Sequence, residues 1–383
     1  MHSAVGIPCL EAGEDVKEIE AAVVRTNGGA FEIEKLALEH PRDDEVIVKI
    51  AGVGICHTDL VCRDQYFPVP LPCVFGHEGS GIVESVGSAV TGVQRGDHVV
   101  LSFNSCQSCP SCISGKPAYC HQLYQRNFLG TRPDGSSALS RNGEMVHGHF
   151  FSQSSFGTYA VAAERNTVKV DKGVPLWLLG PLGCGVQTGA GAVINALRPQ
   201  AGSSIAIFGV GTVGLSAIMA ATLCGCATVI AVDPLAARRE LALKLGAMHA
   251  IDPMADDPVK AIQAITGSGV HNSLECTGLP KVVRQAVESL TLTGTCGVMG
   301  VSRLGTMLEL DMNSILFGRG VRGIIEGDSV PHEFIPRLID LYRQGRFPFD
   351  ELVTEFKFGD IQKAVSESER GNVVKAVLRM PGF

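Results

Sequence analysis

Runs of positive charge are missing from this sequence. Its 383 residues hold 32 Lys and Arg against 39 Asp and Glu, a formal charge of −7, and no basic block exceeds two or three residues. Nucleic acids and anionic membranes are bound through clustered Lys and Arg, so both are poor partners. A leader with a basic start and an apolar centre is missing too. Positions 1–17 carry Glu11, Glu14 and Asp15 instead, and a loosely ordered tail over 1–18 is expected rather than a signal peptide. Internal repeats and low-complexity blocks are absent. One stretch, 204–232, has no charged residue at all and is long enough to span a bilayer. Its glycines at 209, 211, 214 and 225 fit strand, turn, buried helix and strand better. Disulfide-framework spacing is also lacking. The thirteen cysteines are odd in number, four of them are tightly clustered, and free thiols elsewhere suit a reducing, cytoplasmic setting. The length exceeds one ordinary core, so two domains are expected.

What is present is a set of metal donors. Cys56 in Gly-Ile-Cys-His-Thr-Asp and His77 in Gly-His-Glu-Gly offer a thiolate and an imidazole about twenty residues apart. Zn²⁺ takes such ligands, and a catalytic zinc keeps one position open. Two protein ligands are too few, and Cys184, between Gly183 and Gly185, is the best third candidate because flanking glycines admit close backbone approach. The alternative is a buried cysteine and a hydrogen-bonded core histidine. Cys106, Cys109, Cys112 and Cys120 follow a C-x2-C-x2-C-x7-C pattern that closes a tetrahedral all-cysteine zinc site with no open position, hence a structural one. An iron–sulfur cluster or four unrelated thiols are the alternatives.

Short apolar segments broken by Gly and Pro over 20–100 predict a β-rich, barrel-like first domain. A hairpin is expected over 20–36 around Asn27-Gly28-Gly29, and a strand over 45–53 that delivers Cys56. Residues 123–155 read as a long polar loop region carrying phenylalanines. Residues 204–208 form an apolar strand that runs into Gly209-Val210-Gly211-Thr212-Val213-Gly214 and a helix, and a second strand ends at Asp233. This is the dinucleotide fingerprint in its required context. Gly209 makes the turn, Gly211 admits the pyrophosphate, and Gly214 packs helix on strand. Asp233 would bind ribose hydroxyls and repel a 2′-phosphate, which favours NAD over NADP. Alternating strands and helices follow to about residue 301, the pattern of a doubly wound parallel sheet. Edge strands are expected at 308–311 and 321–325, the former as a place where subunits could join. A Pro-interrupted helix is expected over 328–343, and the tail is expected to pack on the first domain.

Segments 56–61, 76–79 and 183–185, the four-cysteine lobe and the fingerprint at 209 resemble those of the zinc-dependent medium-chain alcohol dehydrogenases. The resemblance runs over about 20–380, and the aryl-alcohol (benzyl alcohol) branch is most similar. It implies an α/β protein with a GroES-like β-rich catalytic domain (19–187 and 326–383), a Rossmann NAD-binding domain (188–325), and the active site between them. It implies catalytic zinc on Cys56, His77 and Cys184, with Glu78 beside the metal and entering its coordination in some states. Asp59 would orient His77, and Thr58 would bond the alcohol. His57 and Lys375 would meet the pyrophosphate, Arg238 the adenosine ribose, and Val213 and Val301 the coenzyme. Phe67, Phe103, Phe150, Phe151 and Ile325 fall where the family lines its substrate pocket. The implied reaction oxidises a primary aromatic or allylic alcohol to the aldehyde with hydride transfer to NAD. Two zinc ions per chain and a homodimer or homotetramer are implied as well. One departure stands out: Val61 occupies a position where many members carry a proton-relaying histidine. Three rivals are weighed. A glutathione-dependent formaldehyde dehydrogenase would need a cationic patch, for which 123–155 offers mainly Arg126, Arg132 and Arg141. A polyol dehydrogenase usually has a carboxylate where Cys184 stands. A catalytically silent member would lack the zinc ligands.

Overall fold

The strand Glu45–Gly54 is buried along nearly its whole length, because it has neighbours on several sides. In the computed structural model, which describes residues 16–383, it pairs antiparallel with Gly79–Val86, with Tyr159–Ala163 and with Lys375–Arg379. Apolar side chains on both faces therefore meet protein rather than water, and Val46, Val48, Ile50 and Val53 are all fully buried. The register sets Val53 opposite Gly79. Cys56 just after one strand and His77 just before the other are thus brought side by side, although 21 positions separate them. The C-terminal strand joins through Val377 opposite Gly54, so the chain's tail closes this seven-stranded sheet.

A five-stranded sheet covers it, built on the hairpin Lys17–Val24 with Glu32–Leu38. The tail expected over 1–18 overlaps this hairpin: Lys17 and Glu18 lie opposite Leu38 and Ala37, and positions 1–15 fall outside the described residues. The stretch expected to be a loop over 123–155 holds a short helix, Leu123–Asn127, and a small hairpin, Leu139–Arg141 with Glu144–Val146. Its polarity reflects short elements at the surface rather than their absence.

The third sheet has six parallel strands in the order His249–Ile251, Thr228–Val232, Ser204–Phe208, Val270–Glu275, Leu290–Val298, Gly320–Gly323. Ser204–Phe208 is central and wholly buried, and the helix Thr212–Leu223 is apolar nearly all round because it is covered nearly all round. That accounts for the uncharged run; among the described residues no helix is long and apolar enough to cross a membrane. Gly320–Gly323 forms one edge, but 308–311 is irregular and is followed by the short helix Met312–Leu316. The edge strand expected there is absent because those residues pair with no neighbouring strand.

The helix Pro331–Arg343 is continuous despite Pro336. Its Phe334, Ile335 and Leu338 enter one core with Leu179 and Leu182 and with Leu215 of the helix Thr212–Leu223. This shared core fixes the parallel sheet against the seven-stranded one, with a cleft between them.

Candidate metal and coenzyme site

Asp59 organises the site. It sits in the first turn of the helix His57–Arg63 and has no exposed surface. Its Oδ2 accepts from the Cys56 amide at 2.9 Å, and its Oδ1 accepts from the Gly76 amide at 3.1 Å and pairs with His77 Nδ1 at 2.8 Å. One carboxylate therefore ties together the two loops that carry Cys56 and His77. With Nδ1–H donating to Asp59, the His77 ring presents its Nε2 lone pair, and that atom is buried without a hydrogen-bond partner. An orphaned imidazole nitrogen beside two thiols is what a soft divalent metal requires.

Donor atoms of Cys56, His77, Glu78 and Cys184 all lie within 4.8 Å of one another. The neighbouring Cys184 thiol and the His77 ring hold Cys56 well below the ordinary thiol range, so one thiolate is available without strong base. Thr58 Oγ1 is 3.7 Å from Cys56 Sγ. Glu78, expected beside the metal, has a carboxylate oxygen within this group and is also paired with a cation. Lys375 Nζ donates to its Oε1 at 2.9 Å and its Oε2 at 2.8 Å, and Gly185 N donates to Oε1 at 3.1 Å. Burial opposes the Lys375 charge, but Glu78 beside it keeps the ammonium above its usual pKa. Both partners are buried, and separating them leaves two unpaired charges out of water.

The second cysteine group also fits a metal. Cys109 Sγ and Cys106 Sγ lie 3.5 and 3.9 Å from Cys112 Sγ, bracketing the roughly 3.8 Å edge of a zinc tetrahedron made of four thiolates. Amides of Cys106, Cys109, His121 and Gln122 donate to these sulfurs, as amides do to thiolates. Backbone donation, from Ser108 first, lowers Cys106 to about 5, while burial pushes Cys112 up to about 12. The helix Pro110–Ile113 buries no side chain, so this lobe has little core to hold it in shape.

The coenzyme residues expected from the sequence converge on one cleft of about 720 Å³. His57, Gly209, Gly211, Val213, Gly214, Asp233, Arg238 and Lys375 line it, together with Cys56 and Val61. Val301 does not line it and is exposed. A Cβ on Gly214 would lie 2.2 Å from Gly209 O, whereas one on Gly211 would meet only Arg238 Nη1 at 3.9 Å. The first glycine thus serves packing, and the second leaves the helix N-terminus open for a phosphate. Asp233 accepts from the Val210 and Leu235 amides, and Arg238 Nη1 stands 4.0 Å from its Oδ2.

Aromatic rings flank the metal donors. Phe151 stacks on His77 with centroids 4.5 Å apart, Phe128 meets Phe151 at 5.1 Å, and Phe67 meets Phe128 at 4.6 Å. Phe150 and Phe103, expected at the pocket wall, are enclosed. Phe150 packs on Phe75 and Phe151 from behind, so it backs the wall. Ile325 is exposed.

Residues 42–172 match the alcohol dehydrogenase GroES-like domain, and residues 212–344 match the zinc-binding dehydrogenase domain. A geraniol dehydrogenase of Castellaniella defragrans is 50% identical over 372 residues, 95% of this chain and 98% of that protein. The crystal structure of benzyl alcohol dehydrogenase from Acinetobacter calcoaceticus superposes with a TM-score of 0.93 at 49% identity, covering 95% of this chain and all of that one (100%). The chain belongs to the zinc-dependent medium-chain alcohol dehydrogenases. A probable S-(hydroxymethyl)glutathione dehydrogenase of Schizosaccharomyces pombe is 34% identical over 366 residues, 94% of this chain and 97% of that protein.

Within this alcohol dehydrogenase, sequence reasoning missed one group at the metal donors. Glu326 Oε1 lies 3.7 Å from Cys184 Sγ, and burial raises its carboxyl to about 7. Nothing local marks it, since its sequence distance from every other donor hides the contact. The buried amide Gln187 was also missed. It donates to Ser102 Oγ and Gly183 O, supporting the loop that carries Cys184.

Proposed function

We propose that this alcohol dehydrogenase oxidises primary aromatic or allylic alcohols of the benzyl alcohol and geraniol class to aldehydes, with NAD⁺ as the coenzyme. The observation that carries the reading is the aromatic wall, Phe151 with Phe128 and Phe67, standing directly on the face of His77. A flat apolar surface beside the metal donors favours a substrate whose carbinol carbon bears a ring or a double bond. The names of the geraniol and benzyl alcohol dehydrogenases agree with that chemistry.

Cys56, His77 and Cys184 would hold the catalytic zinc, and Cys106, Cys109, Cys112 and Cys120 a structural zinc. When bound, zinc supplies Lewis acidity at the alcohol oxygen and the nicotinamide accepts hydride. The chain's own work is positional. Asp59 fixes the His77 ring, and Lys375 neutralises Glu78 so that a second negative charge does not crowd the donors. Thr58 Oγ1, beside Cys56 Sγ, is the hydroxyl able to orient the substrate oxygen and take its proton. Val61, buried at the cleft, carries no proton, so the relay through Thr58 ends at the ribose, at water or at His57. Asp233 and Arg238 would hold the adenosine ribose. NAD⁺ is favoured because the Asp233 carboxylate stands where a 2′-phosphate would be repelled.

A glutathione adduct fits less well. Arg132 is taken by Glu45 and Glu39, Arg141 by Glu34, and Arg126 bonds Gln122, which leaves few cations for glutathione carboxylates. A homodimer or homotetramer is supported by the open edge at Gly320–Gly323 and by exposed Met307, Met312, Leu316 and Phe317 near it in sequence. The test is steady-state kinetics on benzyl alcohol, geraniol, ethanol and S-hydroxymethylglutathione with NAD⁺ and NADP⁺. Benzyl alcohol or geraniol should exceed ethanol by at least about a hundredfold in kcat/KM, since burying a ring's carbons is worth several kcal/mol. Ethanol matching either one refutes the substrate claim.

A further inference from the structure

We propose that Glu275 is a positioning residue for the nicotinamide half of the coenzyme, acting through the turn at Thr277 that its buried carboxylate holds in place. The inference rests on the reading of the cleft at Gly209 as an NAD site.

Four observations carry it. First, the strand order gives the turn its place. Ser204–Phe208 lies between Thr228–Val232 and Val270–Glu275. Asp233 follows the first of these neighbours and would hold the adenosine ribose, and Gly209 follows the central strand and admits the phosphates. Residues after Val270–Glu275 therefore stand across the phosphates from the adenosine, where the nicotinamide half continues. Cys276 and Thr277 line the same cleft as Gly209 and Cys56. Second, Glu275 has no exposed surface, and the donors that satisfy it are uncharged and immediately follow it. Its Oε1 accepts from Thr277 N at 2.6 Å, from Gly278 N at 3.0 Å and from Thr277 Oγ1, and its Oε2 accepts from Gly278 N at 3.1 Å. Burying an anion is costly without such donors, and here they fold the turn back onto the end of its own strand. Third, the turn is clamped from the next strand. Glu275 O accepts from Met299 N at 2.9 Å and Gly300 N at 3.2 Å. A Cβ on Gly300 would lie 1.8 Å from Gly278 N, and Ser302 Oγ donates to Gly278 O. Fourth, the clamped turn presses on the coenzyme loop: a Cβ on Gly209 would lie 2.6 Å from Thr277 Cγ2. Glu275 itself does not line the cleft. Its carboxylate sets where Thr277 stands, and Thr277 forms the wall beside Gly209.

The test is calorimetric titration of the full-length zinc enzyme with NADH and, separately, with AMP, which carries only the adenosine and one phosphate. Glu275→Ala should weaken NADH by at least about tenfold, the scale of one lost hydrogen bond to a charged acceptor, while AMP binds as before. A merely structural role predicts that both ligands weaken together. Glu275→Gln should recover much of the loss, because its amide oxygen still accepts from Thr277. If Glu275→Ala does not fold, Thr277→Val decides: it keeps a methyl against Gly209 and removes the hydroxyl that donates to Glu275. Weaker NADH with unchanged AMP is the expected result there too. Unchanged NADH affinity in the folded variants, equal losses for NADH and AMP, or no recovery in Glu275→Gln overturns the proposal while leaving the coenzyme site in place. Absence of saturable NADH binding to the unmodified enzyme overturns the coenzyme reading itself, and the proposal with it.

Discussion

Replacing Asp59 by Asn changes one atom and removes one charge, yet it tests the central element of the site. The carboxylate accepts from two backbone amides, Cys56 and Gly76, and from His77 Nδ1, at 2.9, 3.1 and 2.8 Å. An amide has one oxygen, so one side must turn an NH2 group toward a donor. Facing the NH2 toward Gly76 and His77 would lose two contacts and force the ring into the tautomer that cannot offer Nε2. The less costly arrangement faces it toward the Cys56 amide. That forfeits a hydrogen bond to a charged acceptor, worth about 1.5–3 kcal/mol, and leaves a buried N–H unsatisfied. Stability should therefore fall by about 2 kcal/mol, read as a lower urea midpoint. Zinc retention against a chelator and kcat/KM for benzyl alcohol should each fall about 10- to 100-fold, the usual cost of losing the group that orients a ligating histidine. If Asp59→Asn stays within about twofold of the unmodified enzyme in both, with an unchanged midpoint, the role given to Asp59 is wrong.

Cys184→Ser should abolish turnover in a folded protein, whereas Cys109→Ser should lower stability and solubility, because the lobe has little core besides its sulfurs; metal analysis and thermal unfolding separate the two. Asp233→Gly should narrow the NAD⁺ over NADP⁺ preference in kcat/KM, and an unchanged ratio would refute the ribose argument. His149 is buried, and desolvation first, then the nearby Arg132 charge, lower its pKa to about 4. The unfolded chain then binds a proton below about 6.5 that the folded chain refuses until about 4. Stability from this residue is complete above about pH 6.5 and declines as pH falls, by up to about 3 kcal/mol at pH 4. His149→Gln should remove that share of the acid dependence, so parallel pH–stability curves would contradict it.

Much of the site was legible because its parts are local. Four cysteines within fifteen positions, a glycine fingerprint between two strands, and an acidic residue ending the second strand each solve a chemical problem within one short segment, so spacing alone identifies them. The pairing of Asp59 with His77 was implied by the family resemblance and has its physical basis in the Val53–Gly79 register. Other features depend on what packs where. Residues 308–311 alternate like a strand but find no partner, and a strand without a ladder does not form. Phe150 and Phe151 are neighbours of identical chemistry and both are buried against His77; with left-handed backbone at Phe151, Ser152 and Ser154, the second lies flat on the ring while the first meets it edge-on. Lys375 reads in sequence as a cation for the coenzyme, but burial beside Glu78 gives its charge a nearer partner. Glu326 is the sharpest case. It reaches Cys184 only because the helix Gly185–Gly191 packs glycine to glycine on the turn at Gly327. The sequence by itself determined which chemistry this protein carries, since ligand type and spacing are local. Only the tertiary structure decided which carboxylates stand beside the donors, since that depends on which distant segments pack together.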